Sequence, residues 1–271
     1  MNGSGEAAER EAIARQIKAS RNLESGRLGL EAWYKMETDR GSRNYLTELG
    51  GLAATLEHIG NLSSNRVLDI GAGTARAISE LKEFDMAQGI QLEGTGLVQP
   101  PDASQKLILT PAETLGRIPD ASCGGVLAVF SIAYSEAPER VIESVDRVLV
   151  PGGIFKGVLM ASQPWMTKAS DTQQLIIRTA DEFQRKLESL SWDVASAVND
   201  PYREPGMPER PEAERKILVA VKPGNKNFPF LSGIAEQIIE EDRRSLSSQL
   251  RIADEKFPVS PFNSIKIEPG E

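Results

Sequence analysis

The sequence predicts an α/β fold: a seven-stranded, mostly parallel sheet covered by helices on both faces, with its last strand reversed. Three observations carry that prediction. Short apolar runs of strand length alternate along the chain with stretches of helical periodicity. The first such run, Val67-Leu68-Asp69-Ile70, ends in a turn containing Gly71 and Gly73 and passes directly into a helical stretch. The last two strand runs are separated only by residues 199–215, rich in Pro, Glu and Arg and too irregular for a crossover helix, so those two strands pair antiparallel.

Residues 5–21 mix Ala, Glu, Arg and Ile at near-helical spacing, residues 20–29 break the pattern and residues 30–36 resume it, which predicts a helical extension over 1–44. Charges balance over residues 1–50, so the extension is not an acidic tail. The domain proper spans 45–222. It opens with a helix over 52–59, a strand over 66–70 and a helix from about 75 to 84. Further strands are predicted at 94–98, 107–109, 126–130, 155–160, 193–198 and 216–221, with helices over 138–149 and 171–190. Residues 223–271 carry one helix, 234–252, and a flexible tail.

Lys and Arg number 31 against 39 Asp and Glu, a formal charge of −8, which has the wrong sign for phosphate backbones or anionic lipids; nucleic acid is not an expected partner. Hydrophobic residues at 40% are enough for a packed core. A single cysteine, Cys123, cannot form an internal disulfide, and the first ten residues are polar and acidic where a secretory signal is basic and then apolar. Together these predict a cytoplasmic protein. No run approaches the ~20 apolar residues of a membrane span. Cys123 reads as a small loop residue, and His58, the one histidine, reads as surface or packing; neither has the neighbours for a metal site, and no metal is predicted.

The run Val67-Leu68-Asp69-Ile70-Gly71-Ala72-Gly73-Thr74-Ala75-Arg76 is the most informative. Its two glycines allow a tight turn and close backbone approach to a ligand. A dinucleotide fingerprint requires a third glycine where Arg76 stands, which disfavours a nicotinamide or flavin oxidoreductase. The run resembles the first motif of the class I S-adenosylmethionine-dependent methyltransferases. Downstream, Leu109-Thr110-Pro111-Ala112-Glu113 is similar to the family's third-strand motif, and Arg147-Val148-Leu149-Val150-Pro151-Gly152-Gly153 to a signature of its ubiquinone-biosynthesis-like branch. The resemblance covers about residues 45–222 and implies a Rossmann-like class I methyltransferase fold with S-adenosyl-L-methionine as cofactor.

It also implies roles. Asp69, Gly71, Ala72 and Gly73 line the methionine end of the cofactor, Ala112 and Glu113 occupy positions that contact adenine, and Phe130 and Ser131 lie under the cofactor. Glu113 reads equally as a solvated loop carboxylate, and Phe130 as core. Two departures stand out. No acidic residue follows the predicted second strand, so Gln99 takes the ribose position, with Glu93 the alternative if the strand lies earlier. Before the fourth strand, where the family often has an acid, stand Gly124 and Gly125.

Ligands of open parallel sheets bind outside the carboxyl ends of the strands. That edge collects Tyr134 and Trp165 as candidate acceptor walls and the loop over 199–215, within which residues 202–211 are a candidate lid. Phe130-Ser131-Ile132-Ala133-Tyr134 stands in place of the Pro-Pro block that accompanies amino-methylation of adenine or glutamine. The functional expectation is methyl transfer to a small-molecule acceptor, with no catalytic residue identified; the alternative is a silent methyltransferase-like binding or scaffold protein.

Overall fold

The computed structural model describes residues 41–97, 99, 103–135, 137–160, 180–199, 215–224 and 233–258. Helices α1 (Ser42–Leu49) and α2 (Ala53–Gly60) lead into β1 (Arg66–Ile70), α3 (Arg76–Leu81), β2 (Gln91–Gly96), β3 (Ile108–Leu109) and β4 (Cys123–Val129). Then follow α4 (Pro138–Val148), β5 (Leu149–Met160), α5 (Ala180–Ser189), β6 (Asp193–Asn199), β7 (Arg215–Val221) and α6 (Ile234–Lys256). The strands form one seven-stranded sheet in the order β3-β2-β1-β4-β5-β7-β6. The first five run parallel to one another, whereas β7 runs antiparallel to both β5 and β6. The expected reversal of the last strand is present.

Both faces are covered, as an almost parallel sheet requires. On one side α4 and α5 pack Val141, Ile142, Val145, Phe183 and Leu187 against Leu68, Val126 and Phe155. Helix α4 follows its own chemistry: Pro138 opens it, Glu139 sits in its first turn and Arg147 in its last, and its buried residues form one stripe. On the other side α1, α2 and α3 bring Leu46, Leu49, Leu56, Ile59 and Ile78 onto Val67, Leu92 and Leu127. Each such side chain, fully buried, contributes roughly 1.5–3 kcal/mol before entropy.

Several sequence expectations need correction. β2 runs Gln91–Gly96, not 94–98, because its alternation of exposed Gln91, buried Leu92 and half-buried Glu93 pairs Arg66 with Gln91 and Asp69 with Gly94. β4 begins at Cys123, so that residue lies in the sheet, fully buried, rather than in a loop; burial raises its thiol pKa and keeps it a thiol. Gly124 has a packing cause. A side chain there would meet the Ser64 carbonyl at 2.1 Å and Ile59 at 2.9 Å, so α2 and the chain after it exclude the family's acid. His58 is satisfied, its Nε2–H donating to the Gly152 carbonyl at 3.0 Å.

The C-terminal helix is joined to the sheet by a buried polar cluster. Leu52, at the N-cap of α2, has no side chain to cap the helix. Asp242 of α6 supplies the missing acceptor: its Oδ1 accepts the Ala54 N–H at 2.7 Å, while Gln249 Oε1 accepts the Leu52 N–H at 3.0 Å. Lys156 of β5 completes the cluster, donating to Asp242 Oδ2 at 2.6 Å and to the Gly51 carbonyl at 2.8 Å. Burial lowers the Lys156 pKa below that of an ordinary lysine, and Asp242 opposes the shift. Among the described residues no helix is long and apolar enough to cross a membrane.

Candidate functional site

The glycine turn lies at the carboxyl end of β1, which is flanked by β2 and the central strand β4. Gly71 (φ +69°) and Gly73 (φ +56°) adopt left-handed backbone that other residues take only with strain. Ala72 N–H is held by the Thr95 carbonyl at 2.9 Å, which fixes the turn to β2. Above Gly73 a side chain would have nothing within 4 Å among the described residues: these leave open space where a ligand could approach the backbone. Ala75, at the position of the motif's final glycine, is also left-handed (φ 58°) and fully buried.

Asp69 is buried at the head of this turn and its backbone carbonyl accepts the Thr95 hydroxyl at 3.3 Å. Beside it lies Tyr45 of α1, whose pKa is raised well above that of a free phenol, first by burial and then by the Asp69 carboxylate. Ser131 covers the turn from β4: a side chain on Gly71 would come 2.6 Å from Ser131 Cβ. The Ser131 hydroxyl is buried and has no hydrogen-bond partner among the described residues. These features fit a ligand carrying an amino-acid group, namely a buried carboxylate at the end of β1, backbone open to approach and a buried hydroxyl with no hydrogen-bond partner among the described residues.

Phe130, just before Ser131, is half-buried and also left-handed (φ 57°), an arrangement that the surroundings must impose. Part of the restraint is Arg215, whose guanidinium carbon sits 5.0 Å from the Phe130 ring centroid. Arg215 in turn is ion-paired with Glu48 of α1, whose side chain is only 4% exposed. Phe130 is therefore neither a plain core residue nor an open surface one.

The remaining expected positions are more spread out. Glu113 is no solvated carboxylate: its Oε1 accepts the Ser135 hydroxyl at 2.6 Å and its carbonyl accepts the Ser144 hydroxyl at 2.7 Å. Ala112 packs against the core beneath it. Arg147 fixes the loop that follows, donating to the carbonyls of Thr114, Leu115 and Ile118 at 2.9–3.0 Å and pairing with Asp120. The arginine of the downstream signature thus organises the loop behind Ala112 and Glu113. Gln99 lies past the end of β2; its Oε1 accepts the Leu107 N–H at 2.8 Å and its Nε2 donates to the Gln105 carbonyl at 3.3 Å. Glu93 sits inside β2, paired with Arg66 at 2.5 Å and away from the strand's carboxyl end. Trp165, the Tyr134 side chain and the candidate lid over 202–211 lie outside the described residues.

Tyr45, Glu48 and Arg215 are the site neighbours that the motifs do not point to. Tyr45 and Glu48 stand one helical turn apart on a helix that precedes every motif, and Arg215 opens a strand of the reversed hairpin. The available signal was the i, i+3 spacing alone.

Residues 68–156, from β1 into β5, match the family described as a methyltransferase domain. Among solved structures, the chain is similar to the 1,6-didemethyltoxoflavin-N1-methyltransferase of Burkholderia thailandensis, determined with 1,6-didemethyltoxoflavin and S-adenosylhomocysteine bound. The two share 20% identity over 80% of this chain and 90% of that one, with a TM-score of 0.48. It is also similar to an S-adenosylmethionine-dependent methyltransferase from Methanosarcina mazei, at 17% identity over 62% of this chain and 97% of that one, with a TM-score of 0.43. No curated protein matches the chain. The family match covers residues 68–156, and the sheet order with its single reversed strand is that of a Rossmann-like methyltransferase fold; together they point to S-adenosylmethionine-dependent methyl transfer.

Proposed function

We propose that this methyltransferase domain passes the methyl group of S-adenosylmethionine to a small organic acceptor that enters over the carboxyl ends of β1 and β4. The observation that carries the reading is the glycine turn, where among the described residues nothing fills the space above Gly73 and nothing partners the Ser131 hydroxyl beside Gly71. Asp69, Gly71, Ala72 and Gly73 hold the methionine end, Ala112 and Glu113 border the adenine, and Phe130 and Ser131 support the middle. Gln99 serves the ribose, since a carboxamide that spends one acceptor and one donor on its own loop keeps one of each for the ribose hydroxyls.

When bound, the cofactor supplies a sulfonium whose methyl carbon goes in line to an acceptor lone pair, the sulfur keeping the electron pair of the broken bond. The protein's part is alignment and exclusion of water, so a dedicated general base is not required. Tyr134 and Trp165 are proposed acceptor walls. The acidic net charge and the lack of a recognition motif for polymers favour a small acceptor. The Arg147 to Gly153 run supports placing the domain in the ubiquinone-biosynthesis-like branch, and a cytoplasmic location agrees with the single buried thiol.

A silent scaffold was the competing reading, motivated by two absent acids. Close packing against Ser64 and Ile59 accounts for one of them, at Gly124. The test is calorimetric titration with S-adenosylhomocysteine, followed by a screen of small oxygen, nitrogen and carbon nucleophiles with methyl-labelled cofactor. Labelled product supports the enzyme. Tight binding with no transfer to any acceptor supports the scaffold.

A further inference from the structure

We infer that Tyr45 is a positioning residue for the amino-acid end of the cofactor, working beside Asp69 at the head of the glycine turn. The inference rests on the reading that this turn binds S-adenosylmethionine, and it adds a residue from outside the matched family segment, residues 68–156.

The first observation is an unsatisfied group in a defined place. Tyr45 is 7% exposed, and its hydroxyl has no hydrogen-bond partner among the described residues. A tyrosine kept only for its ring needs no hydroxyl, and a buried one normally finds a partner. The hydroxyl lies close enough to Asp69 for the two to interact, yet outside the geometry of a satisfied hydrogen bond. A free amino acid end brings an ammonium and a carboxylate. A phenol supplies an acceptor for the first and a donor for the second, which Asp69, an acceptor only, cannot do alone.

The second observation is that α1 is clamped on both sides of Tyr45. At its start, the Ser42 N–H and hydroxyl both donate to Glu80 Oε2, at 2.7 and 2.8 Å. Glu80 belongs to α3, the helix that leaves the glycine turn, and it is steadied by Arg76 at 2.7 Å. One turn after Tyr45, Glu48 pairs with Arg215, which rests on Phe130. Arg43 adds a third tie, to Asp254 of α6 at 2.6 Å. A helix that only covered apolar surface would need none of these; here they fix the helix that carries the phenol.

The experiment compares two probes on the full chain, S-adenosylhomocysteine and 5′-methylthioadenosine, which has the same nucleoside and sulfur but no amino-acid end. Tyr45→Phe removes one oxygen and leaves the packing in place. The expected result is a roughly fivefold to tenfold loss of S-adenosylhomocysteine affinity, the worth of one hydrogen bond, with 5′-methylthioadenosine binding unchanged within about twofold. Equal weakening of both probes, or no change in either, overturns the assignment. If the unaltered protein binds 5′-methylthioadenosine but gains nothing from the amino-acid end, the inference fails while the cofactor reading survives. If it binds neither probe, both fail.

Discussion

Arg215 places its guanidinium carbon 5.0 Å from the centroid of the Phe130 ring, joining the reversed hairpin to the residue at the end of the central strand β4. Phe130 holds a left-handed backbone there (φ 57°), and Glu48 secures the arginine from the other side. Three segments far apart in sequence therefore set one aromatic ring beside the glycine turn.

Arg215→Met tests that arrangement. The substitution leaves the buried Glu48 carboxylate facing an apolar side chain, at a cost of roughly 2–3 kcal/mol once the arginine's partial exposure is allowed for. Urea unfolding should show the loss, and Arg215→Met combined with Glu48→Met should recover most of it. A single-variant loss below about 0.5 kcal/mol would show that the pair is held only loosely.

Lys156 and Asp242 predict a larger effect. Both side chains are at most 1% exposed, and Asp242 also caps α2 through the Ala54 N–H. Asp242→Ala should destabilise by about 3–5 kcal/mol, lowering Tm by on the order of 10 °C. Lys156→Met together with Asp242→Leu should be less damaging than Asp242→Ala. A thermal melt of Asp242→Ala that overlays the parent would remove α6 from the account of stability.

Tyr45 gives the fold a dependence on alkaline pH. Its folded pKa is raised above 10.0, by burial first and Asp69 second. Below pH 10 both folded and unfolded states keep the proton and the group adds no slope. Above it the unfolded phenol ionises while the folded one does not, so stability falls as pH rises. Unfolding free energies of the parent and Tyr45→Phe should run parallel up to about pH 10 and then diverge, with the parent falling faster. Parallel curves to pH 11 would mean that the phenol ionises freely in the fold.

At the ribose side, Gln99→Met removes both loop bonds and the proposed ribose contact. S-adenosylhomocysteine affinity should fall about fivefold to thirtyfold, one or two neutral hydrogen bonds. Glu93→Gln, altering only a pair with Arg66 on the strand's flank, should be silent in calorimetry. The reverse pattern would assign the ribose to Glu93.

How much of this the sequence disclosed depends on how local each signal is. β1 and its turn were legible because an apolar run followed by Gly71 and Gly73 has few other meanings. The hairpin of β6 and β7 was legible from the irregular connection between them. β2 was displaced because Gln91 and Glu93 leave the strand half polar, while residues 94–98 look more apolar without belonging wholly to it. α1 went unread because what holds it, Glu80 and Arg215, comes from distant segments. Lys156 and Asp242 lie 86 residues apart, and no local pattern pairs them; only the fold does. Gly124 looked like a lost functional acid, although its cause is the nearby Ser64 carbonyl.

The central claim is that the turn at Gly71 and Gly73 holds S-adenosylmethionine. Gly73→Val tests it most directly, since among the described residues no atom lies within 4 Å of a side chain added at 73, which would intrude where a ligand approaches the turn. The left-handed backbone costs the variant about 1–2 kcal/mol, small enough for it to remain folded by circular dichroism. Calorimetry should then show S-adenosylhomocysteine binding to the parent and none to Gly73→Val, with NAD binding neither. A folded Gly73→Val that binds S-adenosylhomocysteine with the parent's affinity would contradict the account.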